Sequence, residues 1–126
     1  MTKSKLPSYT QAKHVIWVSY DIHALSAYWE TSFGKWVDGG FEAPTELEAD
    51  LEAWLAWGDT YDTPAGEGAL KRWSGLEAFS AKGFELAKRM KVVAGDHYNV
   101  VYFDHFKLWA NAPPTEIYRL IRCRDC

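Results

Sequence analysis

"PTELEADLEAWLAWGDTYD", residues 44–62, decides the fold class. Pro44-Thr45 followed by Glu46 and Glu48 is a helix-start signature. Thr45 as N-cap with Glu48 three residues on has capping-box spacing, and negative charge in a first turn suits the helix dipole. At about 100° per residue, Leu47, Leu51, Trp54, Leu55 and Gly58 fall on one stripe, which predicts an amphipathic helix over 45–61 with that stripe in the core. On the same wheel Trp57 lies beside the core stripe, between Glu46 and Asp50. Glu48, Glu52 and Asp59 line the opposite flank.

Working outward, residues 62–72 break the helical pattern with Pro64, Gly66 and Gly68 and are expected to form an exposed loop. Ser74 with Glu77 repeats the capping-box spacing. Leu76, Phe79, Gly83, Leu86, Ala87 and Met90 make a second helical stripe, and Gly95 is placed to end it. Lys88, Arg89 and Lys91 lie near that helix's C-terminus, where its dipole favours cations. Upstream, "HVIWVSYD" (14–21) reads as a strand covered on both sides, with Ile16, Val18 and Tyr20 on one face and Val15 and Trp17 on the other. "SAYWETSFGKWVDGG" (26–40) suggests a short hairpin around Phe33-Gly34-Lys35. "HYNVVYFD" (97–104) and "TEIYRLIRC" (115–123) read as later strands. Strand, hairpin, two helices and further strands imply an α+β domain with two main helices packed on one face of a largely antiparallel sheet. With 126 residues, a single domain spanning 1–126 is expected.

The composition is globular: nearly half the residues are apolar, and the net charge is only −3. No apolar run approaches the roughly 20 residues a bilayer span needs, and the N-terminus has no signal-peptide pattern. Two cysteines, both within the last four residues, do not make the disulfide framework of a secreted domain, so a cytoplasmic location is expected. Charge is unevenly spread. Residues 36–70 hold nine acidic side chains and no base, whereas 71–126 hold ten Lys or Arg against six acids. Such an acidic block repels nucleic acid and anionic membranes and attracts a basic partner.

Catalytic and metal motifs are weak. Cys123 and Cys126 form a CxxC, but a zinc site needs two more ligands and a redox pair needs a following helix. Asp96-His97 and Asp104-His105 resemble acid–base pairs, yet neighbours on a strand point to opposite faces and read as strand-end polar residues. Asp59, Asp62 and Glu67 lack the spacing of a calcium loop. No nucleophile elbow, metalloprotease helix or phosphate-binding loop is present. A non-enzymatic protein without cofactor or metal is expected.

The acidic helix is therefore either a solvated core helix or a docking face. Read as a docking face, Glu46, Asp50 and Trp57 form its centre, and Glu48, Glu52, Asp59 and Asp62 are steering charges. The segment "WLAWGDTYD…LEAFSAKGFELAKRMKVVAGDHYNVVYF" resembles small bacterial immunity proteins of contact-dependent and polymorphic toxin systems. The resemblance is carried by Leu51, Trp54, Trp57 and Tyr61, then by Phe79, Gly83, Leu86, Ala87, Gly95, Val100 and Tyr102. It implies an antidote that occludes the basic active surface of a cognate protein toxin, for instance a nuclease. Other classes stay open at this level: a small-molecule-binding or catalytic domain with an aromatic-lined pocket, or a phage-type acidic inhibitor of a nucleic-acid-binding machine.

Overall fold

The computed structural model describes residues 6–20, 26–62 and 74–122, with the side chains of residues 61 and 62 outside that description. Residue 62, expected to open a loop, still belongs to the helix that starts at Thr45; residues 63–72 of that expected loop, Glu67 among them, and Cys123 and Cys126 lie outside the described residues.

Among the described residues five strands form one mixed sheet: β1 (Val15–Val18), β2 (Tyr28–Ser32), β3 (Lys35–Trp36), β4 (Asn99–Phe103) and β5 (Tyr118–Ile121). Their spatial order is β3-β2-β1-β4-β5. β2 pairs antiparallel with both β1 and β3, and β5 pairs antiparallel with β4. The central pair, β1 and β4, is parallel, with Trp17 opposite Val101. A parallel pair cannot be joined by a tight turn and needs a long crossover. Two long helices occupy it: α1 (Thr45–Asp62) and α2 (Leu76–Ala94). The protein is α+β, as its periodicity predicts.

Both helical stripes are buried as read. Leu47, Leu51, Trp54 and Leu55 of α1 and Leu76, Phe79, Leu86, Ala87 and Met90 of α2 share one core with Ile16, Val18, Val100, Tyr102 and Ile121. Those sheet residues alternate along their strands, so the two helices cover one face. Burying a large apolar side chain contributes about 1.5–3 kcal/mol, and this cluster is the main source of stability. The helices meet at Trp54. Its ring stacks on Phe79 at 4.7 Å between centroids, and its indole N–H donates to the Phe79 carbonyl at 2.9 Å.

The first strand covers only Val15–Val18 of the expected 14–21, and local details differ from the sequence reading in four further places. The Glu48 N–H bonds the Pro44 carbonyl, so Pro44 occupies the cap position and Thr45 is the first helical residue. Gly75, not Ser74, caps α2, and no side chain bonds that terminus. β4 starts at Asn99, because Gly95 ends α2 in a left-handed conformation (φ 79°) and residues 96–98 are spent turning back to the sheet. The last strand is shorter than 115–123. Pro113-Pro114 opens a helical turn, α4 (Pro114–Ile117), and only Tyr118–Ile121 joins the sheet. Proline's fixed φ favours a first helical turn and its missing N–H disfavours a ladder position, which explains that shift.

The segment after β4 folds into a short helix, α3 (His105–Trp109). Asp104 caps it by accepting from the Phe106 and Lys107 N–H groups at 3.0 and 3.3 Å, and it also accepts from the Ser80 hydroxyl. At the other end of the sheet a 3-10 turn, Ser8–Gln11, lies against β4. There the Asn99 side chain donates to the Tyr9 carbonyl at 3.1 Å, while the Tyr9 hydroxyl reaches along the sheet to donate to the carbonyl of Tyr118, the residue paired with Phe103.

Candidate functional site

α1 carries its acids on two separate flanks. On the flank toward α2, Asp50 and Trp57 border a shallow groove of about 430 Å³ together with Ala53, Trp54 and Lys82. Asp50 and Trp57 are seven residues apart, two helical turns, which places them on one line along the axis. Trp57 is 36% exposed and sits edge-on against Phe79 at 5.3 Å, so a ring anchored in the core presents its outer part to solvent. Glu46, one turn before Asp50, is exposed.

The opposite flank faces the sheet's hairpin side. Glu48 is half-buried beside Tyr28. Burial raises the Tyr28 phenol above its ordinary range, the Ala43 N–H works against that, and the Glu48 and Glu42 carboxylates add to the rise. Asp59 accepts from the Tyr20 hydroxyl at 2.6 Å. It is thus a structural partner of a core aromatic as well as a surface charge. Glu52 is exposed. The side chain of Asp62 lies outside the described residues.

Of the seven proposed contact residues, the structure brings Asp50 and Trp57 into one groove with Glu46 on the same flank. It separates them from Glu48, Glu52 and Asp59. It also adds two cations that linear sequence did not place there. Arg89 donates to Asp50 at 2.7 Å, with both side chains nearly half exposed, and Lys82 lines the groove. The acidic block is unbroken along the chain but interrupted in space, because α2 presents its basic residues beside α1. The helical wheel of α2 could have supplied that signal, since Lys82 and Arg89 are also seven residues apart and flank its buried stripe.

The remaining α2 cations are used locally. Lys91 is buried and its ammonium donates to the carbonyls of Gly95 and Tyr98 at 3.2 and 2.7 Å, closing the helix end. Lys88 pairs with Glu85 at 3.0 Å. Asp104 and His105, an apparent acid–base pair in the sequence, serve different neighbours: Asp104 caps α3, whereas His105 packs against Phe103 and Trp109. Among the described residues no cluster of three or more His, Cys, Asp or Glu is placed to hold a metal ion. Nor is any helix among them long and apolar enough to cross a membrane.

No protein family, curated protein or solved structure matches the chain.

Proposed function

We propose that the protein is a non-catalytic binding module that docks a protein partner with a basic surface through the α1–α2 groove. Within that class we infer an immunity protein that neutralises a cognate bacterial toxin by covering its active surface. The supporting observation is Trp57: a core-anchored indole more than a third exposed at the rim of a groove, with Asp50 on the same line of the helix. Interfaces draw much of their binding energy from aromatic anchors of this kind, while surrounding charge governs encounter rate and partner choice. Glu46 and Asp50 act with Trp57 at the centre. Glu48, Glu52, Asp59 and Asp62 contribute to the longer-range field, which accelerates association with a basic cleft.

The test is affinity capture from lysate of the native host, with identification of retained chains by mass spectrometry. Wild type is compared with a protein carrying Asp50→Lys and Trp57→Ala. One basic protein retained in equal amount by wild type and lost by the variant supports the reading. Kinetics then divide the two roles: Asp50→Lys slows association and weakens its salt dependence, and Trp57→Ala speeds dissociation by about tenfold or more. If both single variants fold and bind the captured partner like wild type, the docking face lies elsewhere.

A further inference from the structure

The hairpin that joins β2 to β3 ends in a strained aromatic. Ser32 pairs with Lys35, so the turn consists of Phe33 and Gly34, whose φ values are 52° and 82°. Positive φ at both central residues defines a type I′ turn, and its first place suits Asn, Asp or Gly. Phenylalanine there crowds its Cβ against the backbone, and packing does not offset the strain, because the ring is 65% exposed. Trp36, just after the turn, is 68% exposed. These are the two most exposed large apolar side chains among the described residues. The tip is also braced. The Phe33 N–H donates to the Ala12 carbonyl at 2.8 Å, and a Cβ on Gly34 would overlap the Gln11 side-chain oxygen, so residues 11 and 12 hold the turn from one side. Folding would be served better by Asn at position 33. Backbone strain that is held in place and presented to solvent points to a role outside folding.

We propose that this tip docks the protein reversibly on an anionic lipid surface, with Phe33 and Trp36 at the level of the headgroups and Lys13 and Lys35 against lipid phosphates. Three observations select that partner. The first is shape: a hairpin turn is convex, so it enters a yielding or hollow surface and does not enclose a small molecule. The second is composition. An indole has an apolar ring and one N–H, and that of Trp36 donates to no protein group among the described residues, which suits the boundary between hydrocarbon and water. The third is charge. The segments that build the tip, residues 6–20 and 31–37, contain Lys13 and Lys35 and no Asp or Glu. Both lysines are exposed, and neither is in an ion pair among the described residues.

The acids of the chain do not cancel this attraction. Asp38, the nearest in sequence, follows Lys35 by three residues along a strand that runs away from the tip, roughly 10 Å at strand spacing. At physiological salt charges are screened over about 8 Å, so the lysines at the point of contact outweigh the net charge of −3. A second copy of the chain is a poorer occupant. β3 has only two residues and carries Lys35, and short, charged edge strands discourage pairing between sheets.

The full chain is cosedimented with vesicles of phosphatidylcholine, with and without phosphatidylserine, over a range of salt concentrations. Binding is expected on the vesicles that contain phosphatidylserine and should weaken as salt rises. Trp36→Ala should lower the partition coefficient about tenfold or more, and Lys35→Gln about fivefold. Phe33→Asn is the deciding variant: it suits the turn, so its urea midpoint should rise, while vesicle binding is lost. Trp57→Ala, on α1, leaves vesicle binding unchanged. The proposal is overturned by equal binding to phosphatidylcholine alone, by no cosedimentation, or by a Phe33→Asn protein that binds like wild type. A dimer that forms without lipid and is lost in Phe33→Asn would assign the tip to a second copy instead, and loss of a captured protein partner in that variant without any vesicle binding would assign it to a protein interface. Vesicle binding is read without the partner of the α1–α2 groove, so either reading can fail alone.

Discussion

Replacing Gly83 by alanine isolates the contact that sets the distance between α2 and the sheet. A Cβ at this position would lie 2.3 Å from the Tyr102 hydroxyl oxygen and 2.4 Å from Cζ2 of Trp54. Both distances are about 1 Å inside van der Waals contact. Neither neighbour can yield cheaply: Tyr102 and Trp54 are each 2% exposed, and the Tyr102 hydroxyl donates to the Ser80 carbonyl at 2.9 Å. Alanine is a better helix former than glycine by about 1 kcal/mol. Against that stand an overpacking cost of about 1–3 kcal/mol and about 1–3 kcal/mol for a buried hydroxyl pushed off its acceptor. The balance is a net loss of about 1–5 kcal/mol. Urea unfolding followed by tryptophan fluorescence measures it, and the midpoint should fall by about 0.5–2.5 M at a typical slope of about 2 kcal/mol/M. Gly95→Ala is the reference, since that position has open space around it and only positive-φ backbone strain (φ 79°, ψ −169°), costing about 1–3 kcal/mol. A Gly83→Ala protein as stable as wild type, or more so, would refute the close helix–sheet approach.

Three further outcomes follow from individual contacts. Asp104→Ala removes the cap of α3 and the acceptor for Ser80, at a cost of about 2–3 kcal/mol. A thermal melt should drop by about 10 °C, and Asp104→Asn, which can still cap, should lose less. Arg89→Ala removes a pair that is nearly half exposed, so chemical denaturation should change by less than about 1 kcal/mol. Stopped-flow association with the proposed basic partner at low salt should quicken, because Asp50 loses its neutralising neighbour. Burial, opposed by the Ser80 hydroxyl and aided to a lesser degree by the nearby Asp104 carboxylate, raises the Tyr102 phenol well above its ordinary value of 10.0. The unfolded chain therefore releases this proton first: stability is unaffected below about pH 10 and falls as pH rises past it, with a shallower fall in Tyr102→Phe. Urea midpoints measured from about pH 8 to 11 give that slope.

The sequence by itself determined the elements that rest on periodicity. The stripes Leu47–Gly58 and Leu76–Met90 repeat at helical spacing and are buried, and Ile16 and Val18 of β1, with Tyr20 just beyond its end, alternate and face the core. These patterns are legible because a helix or strand needs a continuous apolar face wherever it packs. Gly95 as the end of α2 was readable for a similarly local reason: a left-handed residue there is tolerated best by glycine. Capping was read one residue late at Thr45 and one early at Ser74, since a cap depends on which backbone groups are already bonded. Only the tertiary structure decided the character of the two candidate sites. The nine acids of residues 36–70 form one field on paper, but helix pairing sets Arg89 against Asp50 and turns Asp59 toward Tyr20. The hairpin around Phe33-Gly34 is legible in its own segment, but the Gln11 and Ala12 contacts that brace it bring distant parts of the chain together. Pairing across a sheet depends on which strands become neighbours, and no periodicity within a single segment encodes that.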